Sequence, residues 1–161
     1  MSPAATNDLF RQAWGNFPSG VSVVTFYRDD GTVHGLTANS VCSVSMNPML
    51  ILVCVDHGAR SFPMLEKSER FVMNFLAEGQ AAESDFFARS DTGEAPPFSF
   101  RKSGSGYPIL EGCVAYMDCS VFEMHEAGDH TIFLGKVDEI EVSSKEPLVY
   151  CSGRYPQIVR P

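Results

Sequence analysis

Between two apolar runs, Val21–Phe26 and Met49–Val55, the chain carries the stretch GLTANSVCSVSMNP over Gly35–Pro48. It holds a glycine, an asparagine and the hydroxyls of Thr37, Ser40, Ser43 and Ser45, with no charged side chain. A solvent-facing loop ordinarily carries Lys, Glu or Asp, so a neutral hydroxyl-rich stretch between core strands constrains whatever is built around it. Two readings fit. One is a Thr/Ser-rich strand whose hydroxyls pair with neighbouring strands. The other is a ligand site, since hydroxyls and backbone N–H groups are what a phosphate or a fused amide ring needs. Composition leaves both open.

The flanking pattern is that of a β protein. Thr6 or Asn7 caps a short helix through Trp14, with Leu9, Phe10, Ala13 and Trp14 on one face, and Pro18, Ser19 and Gly20 end it. Val21–Tyr27 and Val33–Leu36 flank the turn signal Asp29-Asp30-Gly31 and predict a hairpin. Met49–Asp56 is an almost unbroken apolar strand. Arg60–Lys67 predicts a helix that Pro63 confines or shifts. Arg70–Leu76 predicts a strand, and Gln80–Arg89 an amphipathic helix with Phe86 and Phe87 inward. Ser90–Pro108 is turn-rich, a length of loop more often functional than idle. Cys113–Met124 and Thr131–Val142 predict two long strands joined through EAGDH, and Leu148–Tyr155 closes the chain with a short strand and turn. Strands outnumber helices, their short connections favour antiparallel pairing, and closing such a sheet into a barrel removes its edges.

Composition excludes more than it assigns. The 161 residues, 44% hydrophobic and 20% charged, suit one globular domain with a sizeable core. A net charge of −8 argues against a nucleic-acid or anionic-membrane partner. Cys42, Cys54, Cys113, Cys119 and Cys151 are odd in number and form no C-x-x-C pair, which reads as reduced thiols in a cytoplasmic protein. The N-terminus has no signal-peptide pattern, and no apolar run approaches the ~18 residues of a membrane span. His34, His57, His125 and His130 lack metal-ligand spacing, so no metal is expected. Neither G-x-G-x-x-G nor a P-loop is present, and no G-x-S-x-G elbow, so a nucleotide would need another scaffold.

Four ordered segments resemble the flavin reductase family, short NAD(P)H:flavin oxidoreductases that often feed reduced flavin to a separate monooxygenase. They are Phe17–Thr25 (FPSGVSVVT), the hydroxyl-rich stretch itself, Gly128–Val137 (GDHTIFLGKV) and Pro147–Tyr155 (PLVYCSGRY). The resemblance covers most of the chain. It implies a mainly β fold, a Greek-key antiparallel split β-barrel (the FMN-binding split barrel) with a few peripheral helices. It also implies a single domain over residues 1–161 that works as a homodimer. Its expected cofactors are FMN or FAD, with NADH or NADPH as hydride donor. Its expected partner is a flavin-dependent monooxygenase reached through diffusible reduced flavin.

The resemblance also implies roles. Thr37, Ala38, Asn39 and Ser40 would lie along the flavin ring, their backbone groups and the Asn39 side chain meeting its O2, N3 and O4 edge. Ser43 and Ser45, with Arg60 and Ser61 at the start of the following helix, would reach the phosphate. For Arg60 the competing reading is a solvated surface charge, and for Ser43 a structural hydroxyl. Asn74, polar within FVMNFL, would lie near the flavin. His130 would contact the nicotinamide as the catalytic residue, with Asp129 orienting it or merely making the turn, and Tyr155 would complete that side. Hydride would pass from nicotinamide C4 to flavin N5 with little acid–base help. Two alternatives share the barrel: an FMN-binding electron carrier without nicotinamide turnover, and a flavin-containing reductase of another acceptor. Gln80–Arg89 departs from the family's leucine-serine start, so FMN against FAD stays open.

Overall fold

A computed structural model describes residues 4–89 and 95–159. Its elements, in chain order, are α1 (Asn7–Gly15), β1 (Ser19–Gly20), β2 (Ser22–Tyr27), β3 (Val33–Ala38), β4 (Val41–Met46), β5 (Met49–Asp56), α2 (Phe62–Leu65), β6 (Arg70–Phe75), α3 (Ala81–Ala88), β7 (Phe100–Lys102), β8 (Pro108–Leu110), β9 (Ala115–Ala127), β10 (His130–Val142) and β11 (Val149–Tyr150). The fold is mainly antiparallel β, as expected. Seven strands make one sheet in the order β3-β2-β6-β9-β10-β5-β4, while β1 pairs with β11 and β7 with β8.

The sheet's edges explain its shape. Laid flat, seven strands at about 4.8 Å spacing would hold β3 and β4 about 29 Å apart. Yet only Asn39 and Ser40 lie between Ala38, the end of β3, and Val41, the start of β4. Three Cα–Cα steps cover at most about 11 Å. The sheet must therefore roll until its two edges meet. Among the described residues no ladder joins β3 to β4, so the roll is a split barrel rather than a closed one.

Alternation along the strands fills it. Ile51, Val53 and Val55 of β5 point inward, with Val24, Phe26, Phe71, Met73, Cys119 and Phe133 from its neighbours. Gly135 is needed there, because a Cβ at that position would lie 2.5 Å from Phe71 Cζ. A second core of Val21, Val23, Leu76, Phe87, Leu110 and Leu148 packs beneath α3. Asn74 ties the two halves together. Its Nδ2 donates to Val23 O (2.9 Å) and Thr25 Oγ1 (2.9 Å), and its Oδ1 accepts from Leu110 N (2.9 Å).

The structure bears out the strand reading of the hydroxyl-rich stretch and changes two other expectations. The hydroxyl-rich stretch is mostly strand, the end of β3 and the whole of β4, because Val41 and Val44 favour extended backbone and one side of β4 is free to take solvent or ligand. The helix expected over Arg60–Lys67 is only the turn Phe62–Leu65, with Pro63 in its first turn. Of the turn-rich Ser90–Pro108 loop, residues 90–94 lie outside the described residues, and the remainder contains the β7–β8 hairpin. The N-terminal helix forms as read, Thr6 Oγ1 capping Leu9 N at 3.3 Å, but none of its residues is buried.

Candidate flavin and nicotinamide site

The edge strand β4 offers backbone as well as hydroxyls. Cys54 N donates to Ser40 O at 3.0 Å, which fixes the phase of the β4–β5 ladder. Bonded positions alternate in an antiparallel pair, so the backbone N–H and C=O of Val41 and Ser43 face away from β5, toward the split. Asn39, Ser40 and Ser43 are exposed there, and Ser45 is half-buried with its Oγ accepting from Asn47 N at 3.2 Å. A bulge between Ser43 and Ser45 leaves Val44 unpaired and re-aims the strand. Val41 and Ala38 pack in the same core as Ala59 and Phe62, which bracket Arg60 and Ser61. The start of α2 meets β3 near that strand's beginning, where Ser61 Oγ lies 3.1 Å from His34 Nε2.

The turn Gly128-Asp129 reaches the same end. His130 is the ladder partner of Asp56, the last residue of β5, and His57 N donates to Asp129 O at 2.9 Å. Gly128 adopts φ 68°, the left-handed conformation this two-residue turn requires. Asp129 Oδ1 lies 2.7 Å from His130 Nδ1, and this hydrogen bond holds the Asp129 carboxyl below its ordinary pKa. That contact orients the ring and leaves His130 Nε2 outward, on a side chain 39% exposed. Beside it, His57 Nε2 sits 2.9 Å from Thr131 Oγ1, and its ring lies tilted against Phe62, 4.9 Å between centroids.

Other expected residues sit differently. Thr37 donates its hydroxyl to Ser84 O of α3 at 2.7 Å, leaving its backbone for a ligand. Ala38 O accepts from Ser22 Oγ at 2.6 Å. Tyr155 also joins α3: its Oη is 2.9 Å from Ser84 Oγ and donates to Asp85 Oδ1 at 2.8 Å. Burial pushes the Tyr155 phenol up, Asp85 adds to that, and Ser84 works against it. The described contacts tie Tyr155 to α3 and Tyr150, not to His130. Asn74 is fully buried with its amide spent inside the core, so it presents no polar group to a ligand. Ser61 is buried against His34, and Arg60 is exposed beside it. The sequence reading assigns no role to His34 or His57. The available signal was position alone, one abutting the hydroxyl-rich stretch and one closing the apolar run of β5.

An uncharged strand edge with outward-facing amides and hydroxyls is chemically suited to a planar amide ring with a phosphate tail. The chain matches the flavin reductase like domain family over residues 14–159. It is 37% identical over 147 residues to a flavin reductase of Pseudomonas putida, covering 91% of this chain and 86% of that protein. It is 35% identical over 161 residues to the flavin-dependent monooxygenase reductase subunit HsaB of Mycobacterium tuberculosis, covering 98% and 86%. The flavin reductase PheA2 superposes with a TM-score of 0.90 at 35% identity, covering 97% of this chain and all 100% of that one. The Streptomyces globisporus NADH:FAD oxidoreductase SgcE6, in complex with NAD and FAD fragments, superposes with a TM-score of 0.89 at 30% identity, covering 98% of each.

The chain belongs to the flavin reductase family. It is an oxidoreductase that reduces flavin at the expense of NAD(P)H.

Proposed function

We propose that this chain works as a homodimeric reductase whose reduced flavin leaves to serve a separate monooxygenase, with binding and reduction at the end of the barrel where β3, β4, α2 and the Gly128-Asp129 turn meet. The observation that carries this placement is the pairing of His130 with Asp56, which sets the acid–histidine turn beside the segment leading to Arg60 and Ser61. The backbone of Thr37, Ala38, Asn39 and Ser40, with the Asn39 amide, would hold the O2–N3–O4 edge of the ring. Donors there stabilise the negative charge that reduction places near N1 and O2. Ser43, Ser45, Arg60 and Ser61 would hold the phosphate. Because α2 is a single turn, Arg60 and Ser61 act through their side chains and not through a helix dipole.

Flavin, when bound, supplies the redox chemistry, accepting at N5 a hydride from nicotinamide C4. This chain's residues would position the donor. His130, its ring braced by Asp129, would seat the nicotinamide. Tyr155, tied to α3, would close the flank. No side chain needs to move a proton in the hydride step, which agrees with an end of the barrel built from hydroxyls, amides and one braced imidazole.

Two features support the assembly. The faces of β5 and β10 turned from the core carry Leu50, Leu52, Cys54, Ile132 and Leu134, and exposed Val44, Met46 and Met49 adjoin them. An apolar face of this kind on a soluble reductase is where a second copy docks. A partner monooxygenase is named for several relatives, among them HsaB.

The test separates a diffusible product from a captive one. The protein, NADH and FMN are placed anaerobically on one side of a dialysis membrane, with ferricytochrome c on the other. Cytochrome reduction that requires both enzyme and free FMN supports the proposal. Nicotinamide oxidation with no electrons crossing the membrane contradicts it.

A further inference from the structure

His34 lies in β3, 7% exposed, with both ring nitrogens engaged. Nδ1 is 2.9 Å from Arg28 Nη2, and Nε2 is 3.1 Å from Ser61 Oγ. A guanidinium has only N–H donors, so Arg28 donates and Nδ1 accepts. A ring nitrogen that accepts carries no proton. The imidazole is then the neutral tautomer with its one hydrogen on Nε2, and that hydrogen is donated to Ser61 Oγ. The edge-to-face contact with Phe26, at 5.5 Å between ring centroids, fixes the ring plane.

The consequence falls on Ser61. Its side chain is 8% exposed, and among the described residues its oxygen has no other hydrogen-bond partner. One lone pair is taken by His34, so the hydroxyl proton is left to seek an acceptor that the described residues do not supply. A hydroxyl held this way is a donor to an oxyanion. In the opposite tautomer Nε2 would take the Ser61 proton and turn a lone pair outward, which a phosphate would repel.

We infer that His34 is a positioning residue for phosphate recognition: Arg28 fixes its tautomer, and its Nε2–H forces the Ser61 hydroxyl to donate to the flavin phosphate. This rests on the reading of Arg60 and Ser61 as the phosphate end of the site. The determinant of flavin selectivity thereby extends from the α2 turn through β3 to β2's outgoing end at Arg28.

The experiment compares FMN with riboflavin, which has the same ring and ribityl chain but no phosphate. Dissociation constants for both are measured by quenching of flavin fluorescence on the wild type, Ser61→Ala, His34→Phe, His34→Gln and the Ser61→Ala/His34→Phe double variant. Ser61→Ala should lower the FMN preference over riboflavin about tenfold, the worth of one charge-assisted hydrogen bond. His34→Phe should lower it by a similar factor, and the double variant by no more than either alone. His34→Gln, whose amide N–H can replace the Nε2 donor, should restore most of it. A purely structural His34 would weaken both flavins alike. If Ser61→Ala lowers the preference but His34→Phe does not, or if the two effects multiply, the positioning role is wrong. If Ser61→Ala leaves the preference unchanged, the phosphate assignment itself fails. Should the buried ring not tolerate phenylalanine, Arg28→Met reads the same preference, and an unchanged value overturns the inference.

Discussion

His130 stands directly opposite Asp56 across the β5–β10 ladder, although the two are far apart in sequence. That one register brings the end of the hydroxyl-flanked strand, the turn leading to Arg60 and Ser61, and the acid–histidine turn to one end of the barrel. A one-residue slip would turn His130 to the other face of the sheet and destroy the arrangement.

Removing His130 should therefore touch the nicotinamide and spare the flavin. In His130→Ala the KM for NADH is expected to rise about tenfold, the loss of one positioned contact, with the flavin dissociation constant changing less than about twofold. Steady-state kinetics beside a fluorescence titration give the split. Equal losses for both ligands would show that His130 is a general support of the site.

Asn74 is expected to matter for stability alone. Asn74→Leu strands Leu110 N and frees carbonyls at Val23 and Val72, all inside the core. A cost of about 3 kcal/mol follows from leaving such groups unpaired. Urea unfolding should show it as an earlier midpoint with an unchanged slope, while the FMN preference over riboflavin holds.

Asp138 predicts an acid limb. Partial burial raises its pKa, but hydrogen bonds from Ser120 and Arg70 outweigh that and hold it below its ordinary 3.8. Arg70 Nη2 lies 2.9 Å from both Asp138 Oδ2 and the buried Asp118 Oδ1. A depressed folded pKa means the stabilisation is complete above 3.8 and is lost as pH falls through the folded value. Asp138→Asn should be less stable than wild type near neutrality, by no more than about 1 kcal/mol for so exposed a pair. The gap should close in unfolding curves taken below pH 3.8. A gap that widens with acid would reverse the sign.

Two of the cysteines should be shielded from labelling. Burial pushes Cys113 up to about 12 and Cys119 higher still, and Cys42 is exposed. Near neutral pH Cys113 and Cys119 should resist a maleimide and react only on unfolding. Mass spectrometry of digests from native and unfolded protein checks it.

Much of this was legible in the sequence because it is local. The Thr6 cap, the β-branched runs and the EAGDH hairpin all announce themselves within a few residues. Non-local placement was not legible. Nothing in FVMNFL says that Asn74 faces inward to bind Leu110, since a polar residue in an apolar strand serves a ligand or a core equally well. The hydroxyl-rich stretch reads as strand or site alike because edge strands need satisfy only one neighbour, so their open side carries the composition of a site. Thr37 and Tyr155 meet on α3 through Ser84, a contact no spacing encodes. Nothing local gives His34 a role, because its meaning lies in Arg28 and Ser61, brought together only by the folding of β2, β3 and α2.

The most direct measurement is nicotinamide oxidation by the purified protein, followed by absorbance with and without added FMN, FAD or riboflavin. Flavin reduction at an open barrel end predicts rapid NADH oxidation that saturates with free flavin. A yellow protein that keeps stoichiometric flavin through gel filtration and oxidises no NADH would contradict it.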